Sequence, residues 1–295
     1  MLFDRQKRVL ALLDAHDGEV GHLDFQKLLF LYCQESEQRP YEFVPYKFGG
    51  FSFTSYADKR KLTEQGFLAD EERVWRLTEA GKACALVAPS VRIGMDEFAK
   101  RYKGLRGDLL VAEAYRRYPY YAIRSEIAGR ILADERAALG EIERARPSAA
   151  PPGLCTVGYE GRSLEGYLNL LLVNGVTLLC DVRRNPLSRK YGFSKGTLSK
   201  SCEGVGIRYE HLPELGIEGE RRRTLETQAD YDQLFLSYES DTLPNHNGAL
   251  ARIQEWIDEG ECVALTCYEN LPEQCHRHCV AEALLQKAGC AVRHL

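Results

Sequence analysis

Apolar positions in the first part of the chain recur with the period of an α-helix. Residues 4–15 place valine, alanine and leucine on one face of such a helix. A second stretch of this kind begins near His22 and runs to Cys33, with Asp24 as its predicted N-cap. A third covers residues 53–65. The sequence therefore predicts a mainly helical N-terminal region with Cys33 in its apolar core.

Short extended segments interrupt these helices. Residues 40–51 are aromatic and contain glycine, which predicts a short strand and a turn. Residues 66–68 and 74–77 flank a charged turn and predict a β-hairpin, after which Thr78 begins another helix. Helices followed by such a hairpin resemble bacterial winged-helix domains over residues 1–85. The resemblance implies a winged-helix domain at residues 1–88 that contacts either DNA or protein, including a second copy of itself.

Residues 89–146 are predicted to be helical, and the segment 115–125 interleaves arginines with tyrosines. Arginine suits contact with phosphate, and tyrosine rings suit stacking on bases. The predicted nucleic-acid contacts are Arg116, Arg117, Tyr120 and Arg124. The same composition is also typical of a helix that ends at a proline, here Pro119, with its tyrosines packed at an interface. Both interpretations stay open.

The pattern changes after residues 147–153, a linker rich in proline and alanine. Short apolar runs then alternate with helical stretches as far as the C-terminus. The predicted strands cover residues 154–157, 175–180, 207–210, 262–266 and 291–294. This alternation predicts an α/β domain at residues 154–295, with a Rossmann-like, mostly parallel sheet that has helices on both faces.

Reactive side chains follow four of the predicted strands. Because the carboxyl ends of parallel strands meet at one edge of a sheet, we expect these side chains to surround one cleft. The predicted catalytic residues are Cys267, Glu269, Cys275, His276 and Asp181. The predicted substrate-binding residues are Glu160, Arg183, His211 and Arg277.

Two cysteines are candidate nucleophiles. Cys267 ends a predicted strand, and Cys275 stands at a predicted helix start beside His276 and Arg277. A helix N-terminus and neighbouring cations lower the pKa of a thiol, and a neighbouring imidazole can take its proton. Glu269 can serve as a general acid or base if burial raises its pKa. The alternatives are structural thiols, a solvated carboxylate, and an ion pair between Asp181 and Arg183.

Charge and cysteine content narrow these interpretations. The net charge of −4 excludes a generally basic surface, so any contact with nucleic acid requires a local patch. Arginines 221–223 suit the steering of an anionic substrate and are equally typical of a solvated loop. Ten cysteines behind a charged N-terminus that does not resemble a signal peptide predict reduced thiols in the cytoplasm. No apolar run reaches bilayer length, so we expect no membrane partner.

Several motifs of the C-terminal region resemble a known family. They are Thr156–Tyr159, Asp181–Arg189, Phe193, Gly206–Tyr209, Leu212, Leu215–Gly216, Cys267–Glu269 and Cys275–Arg277. In this order they resemble the uncharacterised family called domain of unknown function 488, which implies the fold but no activity. His278, Cys279 and the long N-terminal region depart from that pattern. Asp181 to Pro186 also resembles a run in rhodanese-like sulfurtransferases, although the segment after Cys267 has no glycine with which to cradle a persulfide.

The cysteines also allow a metal site. Cys267, Cys275 and Cys279 with either His276 or His278 would suit tetrahedral zinc, although adjacent ligands at 275 and 276 are awkward and the usual two-cysteine knuckle is missing. The favoured function is an enzyme acting on a nucleotide or nucleic acid, by base modification, glycosidic cleavage or sulfur transfer. The alternative is a DNA-binding regulator whose C-terminal domain senses a metal or redox state.

Overall fold

The computed structural model describes residues 2–222, 225–288 and 291–295, and side chains at 220, 222, 287 and 288 are left aside. The chain forms two compact units, Met1–Arg146 and Pro147–Leu295. The elements of the first unit are α1 (Asp4–Ala15), β1 (Glu19–Gly21), α2 (His22–Glu35), β2 (Val44–Tyr46), β3 (Gly49–Phe51), α3 (Phe53–Glu64), β4 (Val74–Arg76), α4 (Glu79–Cys84), α5 (Pro89–Tyr102), α6 (Gly107–Arg117), α7 (Ala128–Ile131) and α8 (Arg136–Arg144).

The predicted hairpin of the first unit is present in a short form. Leu68 and Leu77 make an antiparallel bridge, and backbone hydrogen bonds join Ala69 to Arg76 and Thr78 to Phe67. β4 also pairs antiparallel with β1. The predicted N-cap at Asp24 is wrong, because α2 begins earlier, directly after Gly21. The Asp24 carboxylate instead accepts a hydrogen bond from the Gly107 N–H at 2.8 Å.

One apolar core crosses the predicted boundary at residue 88. Leu10 of α1, Phe25 of α2 and Trp75 of β4 share this core with Met95 of α5 and Leu110 of α6. A smaller cluster around Tyr115 joins α6 to α7 and α8. The region predicted to be a winged helix and the predicted helical segment therefore belong to one unit rather than to two.

The second unit alternates strands and helices as predicted. Its elements are β5 (Gly153–Gly158), α9 (Leu164–Val173), β6 (Leu178–Asp181), α10 (Lys195–Gly204), β7 (Arg208–His211), α11 (Gln228–Ser237), α12 (Asn247–Asp258), β8 (Cys262–Cys267), α13 (Arg277–Ala288) and β9 (Val292–His294). Ser163 caps α9 by accepting the Gly166 N–H at 2.9 Å, as its place before an apolar run predicts.

The five strands form one parallel sheet in the order β7-β6-β8-β5-β9. All six residues of the central strand β8 are buried. A strand covered on both faces needs a continuous apolar run instead of an alternating one, which is what residues 262–267 supply. The prediction of a parallel α/β sheet is confirmed. Among the described residues, no helix combines the length and the apolarity that crossing a membrane requires.

Candidate functional site

The strand register brings the predicted site to one edge of the sheet. Cys267 lies opposite Gly158 of β5, and Asp181 of β6 lies opposite Thr266 of β8 and His211 of β7. These positions are the carboxyl ends of their strands. The prediction that Asp181, His211 and Cys267 share one edge is therefore confirmed.

Two thiols and an imidazole meet where β8 ends; we call Cys267, Cys275 and His276 the thiol–imidazole cluster. The Nδ1 atom of His276 lies 3.8 Å from the Cys267 Sγ and 4.0 Å from the Cys275 Sγ. The Cys267 thiol also donates to the Oε2 of Glu269 at 3.4 Å. All four predicted catalytic residues of this segment are thus in contact with at least one of the others.

A backbone carbonyl sets the orientation of the His276 ring. Its Nε2 lies 3.0 Å from the Val182 carbonyl oxygen, so Nε2 carries the proton and donates. Nδ1 is then the acceptor, and its lone pair faces the two sulfur atoms. The Tyr238 ring packs against the imidazole edge at 5.7 Å between centroids. The imidazole is therefore held with its Nδ1 atom toward both thiols.

Burial contradicts the prediction of an ionised Cys275. The side chain is fully buried, and burial together with the neighbouring Cys267 thiol raises the pKa of Cys275 well above its ordinary value. The helix expected to start at Cys275 begins at Arg277, so its N-terminus does not include the thiol. Cys267 and His276 are each 1% exposed, whereas Glu269 is half-buried. Glu269 is therefore the member of the group that solvent reaches best.

The two arginines predicted to bind substrate are occupied by the protein itself. Arg183 donates to Asp181 through Nε at 2.8 Å and Nη2 at 2.5 Å, and through Nη1 to Tyr159. Burial acts to lower the pKa of Arg183, but these partners raise it overall. The buried Arg277 donates to the carbonyl oxygens of Glu269 and Asn270. Both guanidinium groups hold loops at the carboxyl edge of the sheet, and neither is available for the predicted binding of an anionic substrate.

The remaining predicted residues lie at the same edge. The Glu160 carboxylate accepts the Asn270 N–H at 3.1 Å, which ties the loop after β5 to the loop after β8. His211 donates through Nε2 to the Arg183 carbonyl at 2.9 Å. Asp181 also accepts from the Tyr209 hydroxyl at 2.7 Å. Asp181, Glu160 and His211 therefore position loops, and the predicted catalytic role of Asp181 is replaced by a structural ion pair.

A cationic loop at this edge was missed from the sequence. Residues 182–195, which run from the end of β6 to the first residue of α10, contain five cations and no acidic residue: Arg183, Arg184, Arg189, Lys190 and Lys195. Arg184, Arg189 and Lys195 are exposed. The available signal was the run of basic residues directly after a strand end. Of the arginines at 221–223, also considered for steering, Arg223 lies outside the described residues.

In the first unit, two of the predicted nucleic-acid contacts are ion-paired. Arg116 donates to both oxygens of Glu135 at 2.7 and 2.6 Å, and Arg117 pairs with Glu35. Tyr120 is half-buried in a 3₁₀ turn that follows Pro119. Arg124 is exposed, and partial burial and the charge of Arg146 lower its pKa. Arg124 is therefore the best placed of the four to meet an anion.

The metal set predicted from the sequence is wrong in its composition. Cys279 belongs to a different group, with Glu239 and His278, and its Sγ lies 3.4 Å from the His278 Nε2. The ligand atoms of Cys267, Cys275 and His276 all lie within 4.8 Å of one another. These three residues are the ones that could hold a metal at the sheet edge.

Residues 163–284 match the family model described as "Domain of unknown function DUF488". This range begins one residue before α9, ends within α13 and includes the thiol–imidazole cluster, so the resemblance expected from the motifs is confirmed for this part of the chain. No curated protein matches the chain. No solved structure matches it either.

Proposed function

We propose that the protein is an enzyme that acts on a nucleotide or a nucleic acid at the carboxyl edge of the C-terminal sheet. The cationic loop 182–195 is the observation that carries this proposal. It follows β6 directly, and β6 lies beside β8, whose end carries the thiol–imidazole cluster and Glu269. Its exposed cations Arg184, Arg189 and Lys195 attract phosphate to the edge at which reactive groups converge.

Aromatic rings at the same edge suit the base of such a substrate. Tyr191 of the cationic loop is 41% exposed, and Tyr268, next to Glu269, is 44% exposed. Exposed rings beside cations allow base stacking together with phosphate contact. Cations and exposed rings at one edge support a substrate that has both a charged part and a planar part.

Glu269 is the group we assign to proton transfer. It is half-buried, lies beside the buried Cys267 thiol, and is held through its own backbone carbonyl by Arg277. Sulfur transfer would require an accessible nucleophilic thiol, whereas Cys267 is 1% exposed. This burial favours base modification or glycosidic cleavage with Glu269 as general acid or base.

The binding step is tested with a fluorescent single-stranded oligonucleotide and, in parallel, a nucleoside triphosphate. The double variant Arg184→Ala, Arg189→Ala should weaken binding and reduce the salt slope by about one for each phosphate that is no longer neutralised. Lys200→Ala, which removes an exposed cation from α10, is the matched control and should bind as the wild type does. If the wild type, the double variant and Lys200→Ala bound the oligonucleotide and the nucleotide with equal affinity, the cationic loop would have no part in binding.

The chemical step is tested with Glu269→Gln, which keeps the shape of the side chain and removes its charge. Turnover of oligonucleotide or nucleotide substrates, followed by mass spectrometry of the products, should fall by about 10²–10⁴-fold while binding persists. Binding by the wild type with no product in any reaction would instead favour the regulator interpretation.

For the first unit we propose a winged-helix-like contact with the polymer. Support comes from the order α1, β1, α2, α3 and β4, and from the exposed Arg60 and Lys61 on α3. Arg124→Ala should weaken oligonucleotide binding at low salt. Arg116→Ala, whose side chain is already paired with Glu135, should weaken it less. A larger loss of binding in Arg116→Ala than in Arg124→Ala would show that Arg116 leaves its ion pair with Glu135 to contact phosphate.

A further inference from the structure

We propose that Cys267, Cys275 and His276 form a zinc site at the carboxyl end of β8, with Glu269 beside the fourth coordination position. The ligand geometry carries the site itself. The inference rests on the proposed function only for the catalytic role that it gives to Glu269.

The three ligand atoms are already close to the spacing that zinc requires. Zinc bonds are about 2.3 Å long to sulfur and about 2.0–2.1 Å long to nitrogen. At tetrahedral angles they hold a sulfur ligand and a nitrogen ligand about 3.6 Å apart. In the structure the His276 Nδ1 lies 3.8 Å from one sulfur and 4.0 Å from the other. Small side-chain shifts would therefore close the site without a change of fold.

The surroundings of His276 are those of a metal ligand. The Nε2–H group donates to the Val182 carbonyl at 3.0 Å, which fixes the ring and leaves the Nδ1 lone pair toward the sulfurs. Histidine ligands of metals ordinarily donate their second N–H to a carbonyl or a carboxylate in this way. The chemistry of the donors indicates the metal, because two thiolates and an imidazole suit zinc and do not suit magnesium or calcium.

Adjacent ligands at 275 and 276, which the sequence made awkward, are allowed by the local backbone. Cys275 follows a 3₁₀ turn and is extended, with φ −141° and ψ 129°, while α13 begins at Arg277. His276 forms the turn between the extended Cys275 and the helix, and this turn brings the Nδ1 atom of His276 and the Sγ atom of Cys275 near Cys267. A continuous helix or a continuous strand would separate them.

Glu269 gives the site an open side. Its Oε2 lies 3.4 Å from the Cys267 Sγ, and the residue is half-buried, whereas the three ligands are at most 1% exposed. Three protein ligands leave one position on tetrahedral zinc for water or substrate. If zinc binds here, a carboxylate beside that position would serve as the proton acceptor for a water held there.

The test measures bound metal in the full chain after purification and after incubation with zinc alone. Wild-type protein should hold one zinc per chain, and Cys267→Ser, Cys275→Ser and His276→Gln should each lose it. The control is Cys279→Ser, a buried cysteine four residues after Cys275 that lies in the other group, and it should keep the metal. Because a variant could fail to fold, cobalt is also exchanged into the wild type, where a tetrahedral spectrum with thiolate charge-transfer bands is expected.

The outcomes separate this inference from the proposed function. Absence of zinc and of the cobalt spectrum in folded wild type overturns the zinc site, as does loss of zinc in Cys279→Ser alone. Turnover by fully demetallated protein overturns the part that the zinc site gives to Glu269 in catalysis and leaves the proposed function standing. Stoichiometric zinc without turnover of nucleotides or oligonucleotides supports the zinc site and contradicts the proposed function. Glu269→Gln should keep zinc while losing turnover, which assigns Glu269 to proton transfer rather than to ligation.

Discussion

The central strand β8 has a pair of thiols at each end, and the two pairs have opposite surroundings. At its start, the Cys262 Sγ lies 3.9 Å from that of Cys155, and Arg293 donates to Cys262 at 3.5 Å. At its end, Cys267 and Cys275 face the Nδ1 atom of His276, and Cys267 also contacts the Glu269 carboxylate. A cation stabilises a thiolate, whereas an imidazole lone pair and a carboxylate favour a neutral thiol or a metal ion.

This comparison shows that neighbours decide what a cysteine pair does. The amino-edge thiol Cys262 has its pKa lowered to about 6, first by the hydrogen bond with Cys155 and then by Arg293. The carboxyl-edge thiol Cys275 has its pKa raised by burial. The thiolate that the sequence predicts beside His276 is therefore expected at the opposite end of the same strand.

The largest expected difference between the two edges is in stability. Asp181→Ala leaves the buried Arg183 guanidinium without its carboxylate, and breaking a buried ion pair costs about 3–5 kcal/mol. At the amino edge, Thr177→Ala removes a hydroxyl that accepts the Cys262 N–H at 2.9 Å, which should cost about 1 kcal/mol. Urea unfolding of both variants measures the difference. Equal losses would show that Arg183 finds another partner or water.

Glycines at the two ends of β5 provide a second, smaller contrast. A Cβ on Gly158 would lie 1.9 Å from the Glu269 carbonyl oxygen, whereas a Cβ on Gly153 would have open space within 4 Å. Gly158→Ala should therefore displace the Glu269 loop and destabilise by about 1–3 kcal/mol, with weaker zinc retention. Gly153→Ala should change neither the melting temperature nor the metal content. Normal stability and zinc content in Gly158→Ala would contradict the close packing of this edge.

The smallest effect concerns the titration of the amino-edge pair. Thiolate absorbance near 240 nm should rise in the wild type with a midpoint at about pH 6, and Arg293→Ala should move the midpoint upward. The hydrogen bond between the two thiols raises the pKa of Cys155, so only Cys262 contributes in this range. Because the folded pKa of Cys262 lies below that of an unfolded thiol, about 8.5, its thiolate stabilises the fold above that value. The contribution is lost as the pH falls through about 6. A wild-type midpoint above pH 8 would remove the contrast between the two ends.

The sequence alone was enough to predict the α/β sheet, because its information is local. Each buried strand is a short apolar run, each turn is marked by glycine or proline, and Ser163 stands where a helix needs a cap. The same reasoning placed Asp181, His211 and Cys267 at one edge, since parallel strands share their direction. Predictions of this kind require only the order of the elements along the chain and the period at which apolar residues recur.

Only the tertiary structure decided what those side chains contact. Arg183 turned back onto Asp181, Arg277 onto two backbone carbonyls, and Cys279 away from the other two cysteines. Which groups pair depends on packing between strands and helices distant in sequence, and burial then sets their charge. Cys155 and Cys262 are separated by more than a hundred residues and meet only because β5 pairs with β8 in that register. No local pattern along the chain specifies such a contact.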